Sequence, residues 1–419
     1  MNLKKPLGFA CVCVATFVAP VVLASPTQKS NDLNWLLNHL NQHPKIQAAY
    51  QQLHSGEADV RAAQYGIYNP SFDSSIEKEG DDNNFSIGFS QTFDINDQQE
   101  AQVAAAEISL LAEQQSMQLV YLTLVEQALT ALINWRSSKA AFELAQEQEL
   151  QLERLVAIIK QRRESGEVGQ LDEQLALYSW SEILNKTAQQ GSAYADAKLA
   201  VKAILPNWKE GNSLSPERLL AGFKLNIESD SVNLHPQLML AKLQWQLQRQ
   251  QVQVLKAERA VKPTVGISAG KNGDDSIVSL NFSMPLNIVN DFSDEYQSVE
   301  SLALSKEAEY RAVQRAMTFQ AQASKEVMQA YSQRVKRWQA INQNNADSSL
   351  VLIEQQWRSG DISTAQYLTM RQQRSSGLLS GIEIVQQSQL ASVNWLTQSG
   401  QLSQFITTFS RTLTNGTAL

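Results

Sequence analysis

The fold class read from this sequence is mainly α with a small β part, arranged as duplicated long-helix hairpins, and three observations predict it. Residues Asp97 to Glu164 contain neither glycine nor proline and are rich in Ala, Leu, Gln and Glu. As one helix they would reach roughly 100 Å at 1.5 Å rise per residue, far beyond the usual three or four turns. Asp291 to Ser359 repeats that character later in the chain. Each stretch follows directly on a pair of short segments with alternating apolar and polar residues, the period-2 pattern of strands.

Taken in order, residues 1–24 read as an export signal: Lys4 and Lys5, an apolar run from Leu7 to Leu23, then the small Ala24 before Ser25. The alternatives are an uncleaved anchor, for which the run is short, and a lipoprotein acylated at Cys11, for which Gly8-Phe9-Ala10 is a poor lipobox. Cleavage removes both cysteines, Cys11 and Cys13, so packing and not disulfides must hold the remainder together. It also removes two of the 35 basic residues against 42 acids, leaving a net charge of −9. An acidic chain without a basic patch excludes nucleic acid as a partner. No later apolar run reaches 18 residues, so a bilayer would have to be crossed by strands.

The first structural repeat is expected at 25–205. Asn31 to Leu40 forms a short amphipathic helix, and Pro44 opens the next, which runs to about Tyr68 before Asn69-Pro70. A hairpin at 71–93 follows. Ser71 to Glu79 alternates Phe72, Ser74 and Ile76 with Asp73, Ser75 and Glu77, and Phe85 to Phe93 alternates Phe85, Ile87, Phe89 and Phe93 with Ser86, Gly88, Ser90 and Thr92. Gly80 to Asn83 is the turn. Asn96 and Asp97 are expected to cap the long helix 97–164, which stops at Ser165-Gly166. A return helix runs from 170 to 205, where Pro206 halts it. Leu152, Leu155 and Ile159 form the seam of a coiled-coil-like hairpin.

Residues 206–233, with Gly211, Pro216 and Gly222, form an inter-repeat segment. The second repeat, 234–398, echoes the first at an offset of about 192–194 residues. His235-Pro236 answers His43-Pro44, a hairpin at 264–286 answers the first, and Ser359-Gly360 answers Ser165-Gly166. Its long helix is 291–359 and its return helix 363–396; a tail occupies 399–419. The apolar faces of its strands carry Val265 and Ile267, then Val278, Leu280, Phe282 and Met284.

Strands of about 9–10 residues suit a tilted membrane crossing. Four strands cannot close a barrel, whose usual lower limit is about eight, and open edges are not tolerated in lipid. Several copies must therefore combine. The competing reading, solvent-side hairpins on a soluble coiled-coil protein, sits poorly with the one-sided Phe/Ile/Leu face and the export signal. The expected lipid-facing set is Phe72, Ile76, Phe85, Ile87, Phe89, Phe93, Val265, Ile267, Val278, Leu280, Phe282 and Met284.

Helix, hairpin, very long helix, glycine turn and return helix, all repeated, resemble the TolC family of outer-membrane efflux proteins over essentially the whole exported chain. The most specific marks are the paired tips, Arg163-Glu164-Ser165-Gly166-Glu167-Val168 and Trp357-Arg358-Ser359-Gly360-Asp361-Ile362, which resemble the family's Arg-x-Gly turns. Phe282-Ser283-Met284-Pro285-Leu286 is similar to the fourth-strand ending of relatives that serve heavy-metal and cation pumps. The resemblance implies a homotrimer whose four strands per chain make a 12-stranded β-barrel in the outer membrane, continued by an α-helical barrel in the periplasm of a Gram-negative cell. It implies passive export through the duct. The tips, at Arg163, Gly166, Glu167, Arg358, Gly360 and Asp361, would dock a periplasmic adaptor (membrane fusion) protein joined to an inner-membrane transporter of the RND type, a proton-driven drug or metal exporter. Many relatives carry an aspartate ring six and nine positions after the second tip glycine; here Gln366 and Thr369 stand there, and the acids Asp172 and Glu173 follow the first tip instead. Either could favour cations at the closed entrance, or be a solvated helix-surface acid. A type I protein-secretion channel and, from another class, a periplasmic adaptor or coiled-coil scaffold are the rival readings.

Nothing points to catalysis, a cofactor or a metal. Gly266-Ile267-Ser268-Ala269-Gly270 has the letters of a nucleophile elbow, but a strand follows where that motif needs a helix. Gly266 to Asn272 is one residue short of a phosphate loop, and Asn272 replaces its Ser/Thr. His39, His43, His54 and His235 form no paired ligand set, the methionines are scattered, and Trp135, Trp180, Trp338 and Trp395 fall in helices as packing residues.

Overall fold

A computed structural model of the chain describes residues 34–80, 82–210, 216, 219–220, 232–342 and 348–403. The expected signal with Cys11 and Cys13, most of the inter-repeat segment and the tail past 403 lie outside the described residues. The elements are α1 (34–40), α2 (Pro44–Ala63), β1 (Ser71–Glu79), β2 (Asp82–Thr92), α3 (Gln98–Glu164), α4 (Gln170–Ile204), α5 (Pro236–Arg259), β3 (Thr264–Asn272), β4 (Asp275–Ser283), α6 (Ser293–Asn342), α7 (Ser348–Ser359) and α8 (Thr364–Gln398). The second long stretch is α6 and α7; residues 343–347 between them lie outside the described residues. The chain divides into two compact units. One comprises Met1–Leu36, Ala128–Lys224 and Glu326–Val393, and the other Leu37–Gln127, Leu225–Lys325 and Asn394–Leu419.

The second of these units holds one antiparallel sheet of order β1-β2-β3-β4, so the two hairpins lie side by side and β1 and β4 are free edges within the chain. Its register puts Phe72 opposite Phe89, Phe89 opposite Ile267 and Ile267 opposite Leu280, one apolar row across all four strands. Phe72 and Phe89 meet edge to face with centroids 5.3 Å apart.

Three local differences from the sequence expectation have physical causes. Helix α2 ends at Ala63, short of Tyr68 and just before Gly66, and the carbonyls past its end are satisfied by side chains instead of by further helical turns. Gln99 Nε2 donates to Gln64 O at 2.7 Å, and Gln91 Nε2 to Tyr68 O at 3.0 Å. Asp97 stands at the N-cap position of α3, its carbonyl accepting from Ala101 N at 3.0 Å, but the side chain that caps the helix is that of Asp94 and not of Asn96 or Asp97. The Asp94 carboxylate accepts from Gln98 N at 3.1 Å and Gln99 N at 2.8 Å, while Asp97 takes a left-handed φ of 55° at the junction. Burial raises the Asp94 pKa, but those N–H bonds and the charge of Lys262 outweigh it and hold the carboxyl below its ordinary value. Finally, α3 includes an 18-residue window of mean hydropathy 1.3, apolar enough by composition to cross a membrane. The run Leu122, Leu124, Val125, Ala128, Leu129, Leu132 and Ile133 is buried by the protein itself, as in the core helix of a bundle.

Both His-Pro pairs start helices. His43 Nδ1 accepts from Lys45 N at 3.2 Å, and His235 Nδ1 from Gln237 N at 3.1 Å, with Pro44 and Pro236 at the first helical positions. His235 is buried, and its Nε2 lies 3.1 Å from Thr397 O, tying the start of α5 to the end of α8. Burial pushes its pKa down, against the raising effect of the Thr397 carbonyl.

Candidate functional site

On the sheet, alternation separates two chemically opposite faces. One carries the whole predicted set: Phe72, Ile76, Phe85, Ile87, Phe89, Val265, Ile267, Val278, Leu280 and Phe282 on the strands, with Phe93 and Met284 one residue past the ends of β2 and β4. All twelve are exposed, Ile76 at 90%. The opposite face is mainly small or polar, with Ile277 as its one large apolar residue. Ser75 Oγ and Ser86 Oγ lie 2.8 Å apart, Ser90 Oγ donates to Asp73 Oδ2 at 2.8 Å, and Thr92 and Thr264 pair at 2.8 Å. Gly88, Gly266 and Gly270 share this face. At Gly270 an added Cβ would sit 2.0 Å from Phe85 O, so close packing of the two hairpins requires its bare backbone.

Ser74, Gln91, Lys271 and Ser276 interrupt the apolar face only at its margins, and an exposed apolar row of this size is something a water-soluble sheet does not keep. With two free edges as well, it is stable only against a non-aqueous phase or other chains.

In the other unit the two tip turns have the same construction. At the first, Gly166 has φ 79°, Gly166 N donates to Arg163 O at 3.0 Å and Glu167 N to Arg162 O at 2.9 Å. At the second, Gly360 has φ 85°, Gly360 N donates to Trp357 O at 3.2 Å and Asp361 N to Gln356 O at 2.9 Å. These are paired Schellman stops, in which the left-handed residue is best a glycine. Ser165 Oγ lies 3.1 Å from Glu167 Oε1 and Ser359 Oγ donates to Asp361 Oδ2 at 2.6 Å, so even the side chains repeat.

Each predicted tip and gate residue has a local partner. Arg163 pairs with Glu173 across the first hairpin, and Arg358 with Glu354 on its own helix. Asp172 Oδ2 accepts from Gly169 N at 3.1 Å, and Gln366 does the equivalent work for Ser363 N at 2.9 Å. Thr369 Oγ1 donates to Ala365 O at 2.9 Å. The two tips come together over Leu152, Leu155, Ile159, Ala176, Trp357 and Tyr367, and the Arg162 guanidinium lies 5.2 Å above the Trp357 ring.

Sequence reasoning missed the clasp inside each hairpin. Arg163 and Glu173 stand ten residues apart across the first turn, and Trp357 and Tyr367 stand at the positions 194 later, where they stack at 4.9 Å and 19°. Aligning the repeats residue by residue would have exposed that substitution of an ion pair by an aromatic pair. It also missed polar links between α3 and α8. Arg371 Nη2 donates to Gln151 Oε1 at 2.7 Å, Ser375 Oγ to buried Gln148 Oε1 at 2.7 Å, and Gln386 Nε2 to Asn134 Oδ1 at 2.9 Å. Among the described residues no group of three or more His, Asp or Glu is placed to hold a metal.

Residues 35–206 match the sequence profile of the family described as outer membrane efflux protein. Among curated protein sequences there is no match. Among solved structures the fold is similar to CusC, with 15% identity, TM-score 0.75, and coverage of 88% of this chain and 92% of that one. It is similar also to the CmeC outer membrane channel of Campylobacter jejuni (13%, TM-score 0.75, 90% and 89%) and to the outer membrane protein VceC of Vibrio cholerae (14%, TM-score 0.68, 88% and 96%).

Proposed function

We propose that this chain, which carries the outer membrane efflux protein domain in its first half and the fold of outer-membrane channels over most of its length, is an outer-membrane efflux channel and not an enzyme. The observation that carries the reading is the four-stranded sheet with one exposed, predominantly apolar face and two free edges. Such a sheet is satisfied when copies join edge to edge and turn that face to lipid.

In its finer form, three copies close a 12-stranded barrel, and the chain is the exit duct of a tripartite pump. The tips at Gly166 and Gly360 receive a periplasmic adaptor, and an inner-membrane transporter of the RND type supplies the energy. The repeated Schellman stops support this part, since they fix two rigid, matching turns for a partner to grip. Recovery in the outer-membrane fraction as a heat-modifiable trimer, with single-channel conductance in planar bilayers, is the expected result. A purified chain that stays monomeric and soluble without detergent would overturn the channel. An adaptor-like scaffold is disfavoured by the two helical hairpins joined to a single sheet.

At the entrance, the acids Asp172 and Glu173 are each engaged within their own hairpin. A cation-favouring role for either is tested by conductance of Asp172→Asn and Glu173→Gln channels, and unchanged cation preference in both rejects it.

A further inference from the structure

The apolar alternation does not stop where the ladder stops. After Thr92 it continues through Phe93 and Ile95, and after Ser283 through Met284, Leu286 and Ile288, joined by Val289. These connectors are among the most exposed apolar segments of the chain: Ile95 is 61% exposed, Ile288 84% and Val289 98%. They are also held in place. Asn96 Nδ2 donates to Val261 O at 2.7 Å, Asn287 Nδ2 to Arg259 O at 2.8 Å, and Phe93 N to Pro263 O at 2.9 Å. Phe292, with φ 60°, packs under the Arg259 guanidinium at 4.9 Å, and Lys262 Nζ lies 5.8 Å from the Tyr68 ring. Backbone strain of this kind at a bulky residue persists only where the surroundings enforce it.

From this we infer that the two strand-to-helix connectors, Phe93–Ile95 and Met284–Val289, form an interfacial ledge that beds into the phospholipid headgroup zone on the side where the chain leaves the sheet. The inference rests on the channel reading above. Residues 284–289 lie outside the ladder, and unpaired backbone is not tolerated in hydrocarbon but is hydrated among headgroups. Lys262, Tyr68 and Phe292, beside an Arg259 that is itself paired with Glu295 at 3.1 Å, supply the cationic and aromatic side chains that favour that zone. A lipid surface fits better than a neighbouring copy because β2 is an interior strand. A copy joined to the free β4 edge pairs with its backbone and leaves the apolar face open, and Phe93 and Ile95 leave the middle of the sheet on that same side.

The test uses the full chain with Cys11→Ser and Cys13→Ser, reconstituted in phosphatidylethanolamine/phosphatidylglycerol vesicles. Single variants Ile95→Cys, Ile288→Cys and Leu280→Cys carry an environment-sensitive fluorophore, and nitroxide-labelled lipids quench it at known depths. Stronger quenching by headgroup and shallow acyl nitroxides than by deep ones at 95 and 288, with the reverse order at 280, is the expected result. Quenching at 280 alone, with water-like emission at 95 and 288, overturns the ledge and leaves the channel standing. Cross-linking of position 288 to another copy without lipid quenching also overturns it. Absence of quenching at all three positions removes the channel reading itself.

Discussion

The two hairpin clasps should differ greatly in strength, and removing them one at a time measures the difference. Trp357 and Tyr367 are 3% and 2% exposed. A buried tryptophan side chain removes roughly 200 Å² from water, which at about 25 cal/mol per Å² is an upper bound near 5 kcal/mol. Truncations of this type cost about 3–5 kcal/mol, and the stack with Tyr367 and the Arg162 contact are lost with it. The side chains of Arg163 and Glu173 are 47% and 12% exposed, so water screens the pair from its arginine end and it contributes up to about 1 kcal/mol. Trp357→Ala should therefore cost at least about 2 kcal/mol more than Arg163→Ala, roughly 30-fold in the local opening constant. Amide hydrogen exchange read by mass spectrometry on peptides covering 166–175 and 360–369 gives both numbers in one experiment. Protection at the second tip should collapse in Trp357→Ala, and protection at the first should fall slightly in Arg163→Ala. High salt should loosen only the first tip. Equal losses, or a second tip that softens with salt, would refute the assignment of burial and charge to the two clasps.

Three further outcomes are expected. Gly270→Val should block pairing of β2 with β3, since its Cβ would lie 2.0 Å from the Phe85 carbonyl oxygen; overpacking costs about 1–3 kcal/mol before any ladder bonds are lost. Loss of the heat-modifiable species reports it. His235 is held neutral, with its pKa below the ordinary imidazole value, so the unfolded chain takes up the proton first. Its contribution is complete above about pH 6.5 and is lost as pH falls, with a slope of at most about 1.4 kcal/mol per pH unit. His235→Asn, which can still cap α5, should flatten the fall of the melting profile below about pH 6.5, and an unchanged slope there would count against it. Asp94→Ala should cost about 1–2 kcal/mol by uncapping α3, while Asn96→Ala leaves that cap intact; comparing their melting temperatures distinguishes the two.

What the sequence determined by itself was the inventory of elements and their duplication. Period-2 alternation and long runs without Gly or Pro are one-dimensional signals, each fixed by local backbone geometry. The same holds for the Gly166 and Gly360 stops, where one residue type answers one dihedral requirement. Partnership was decided only by the tertiary structure. The side chain of Asp94, and not that of Asn96 or Asp97, caps α3 because the connector folds back on the helix start. The carbonyls of Gln64 and Tyr68 are claimed by side chains 35 and 23 residues away. The charged tip residues are engaged locally, Arg163 with Glu173 across the turn and Arg358 with Glu354 on its own helix. Whether Arg163 meets Glu173, or Trp357 meets Tyr367, depends on how two helices pack, and packing is a property of surfaces that no local pattern contains.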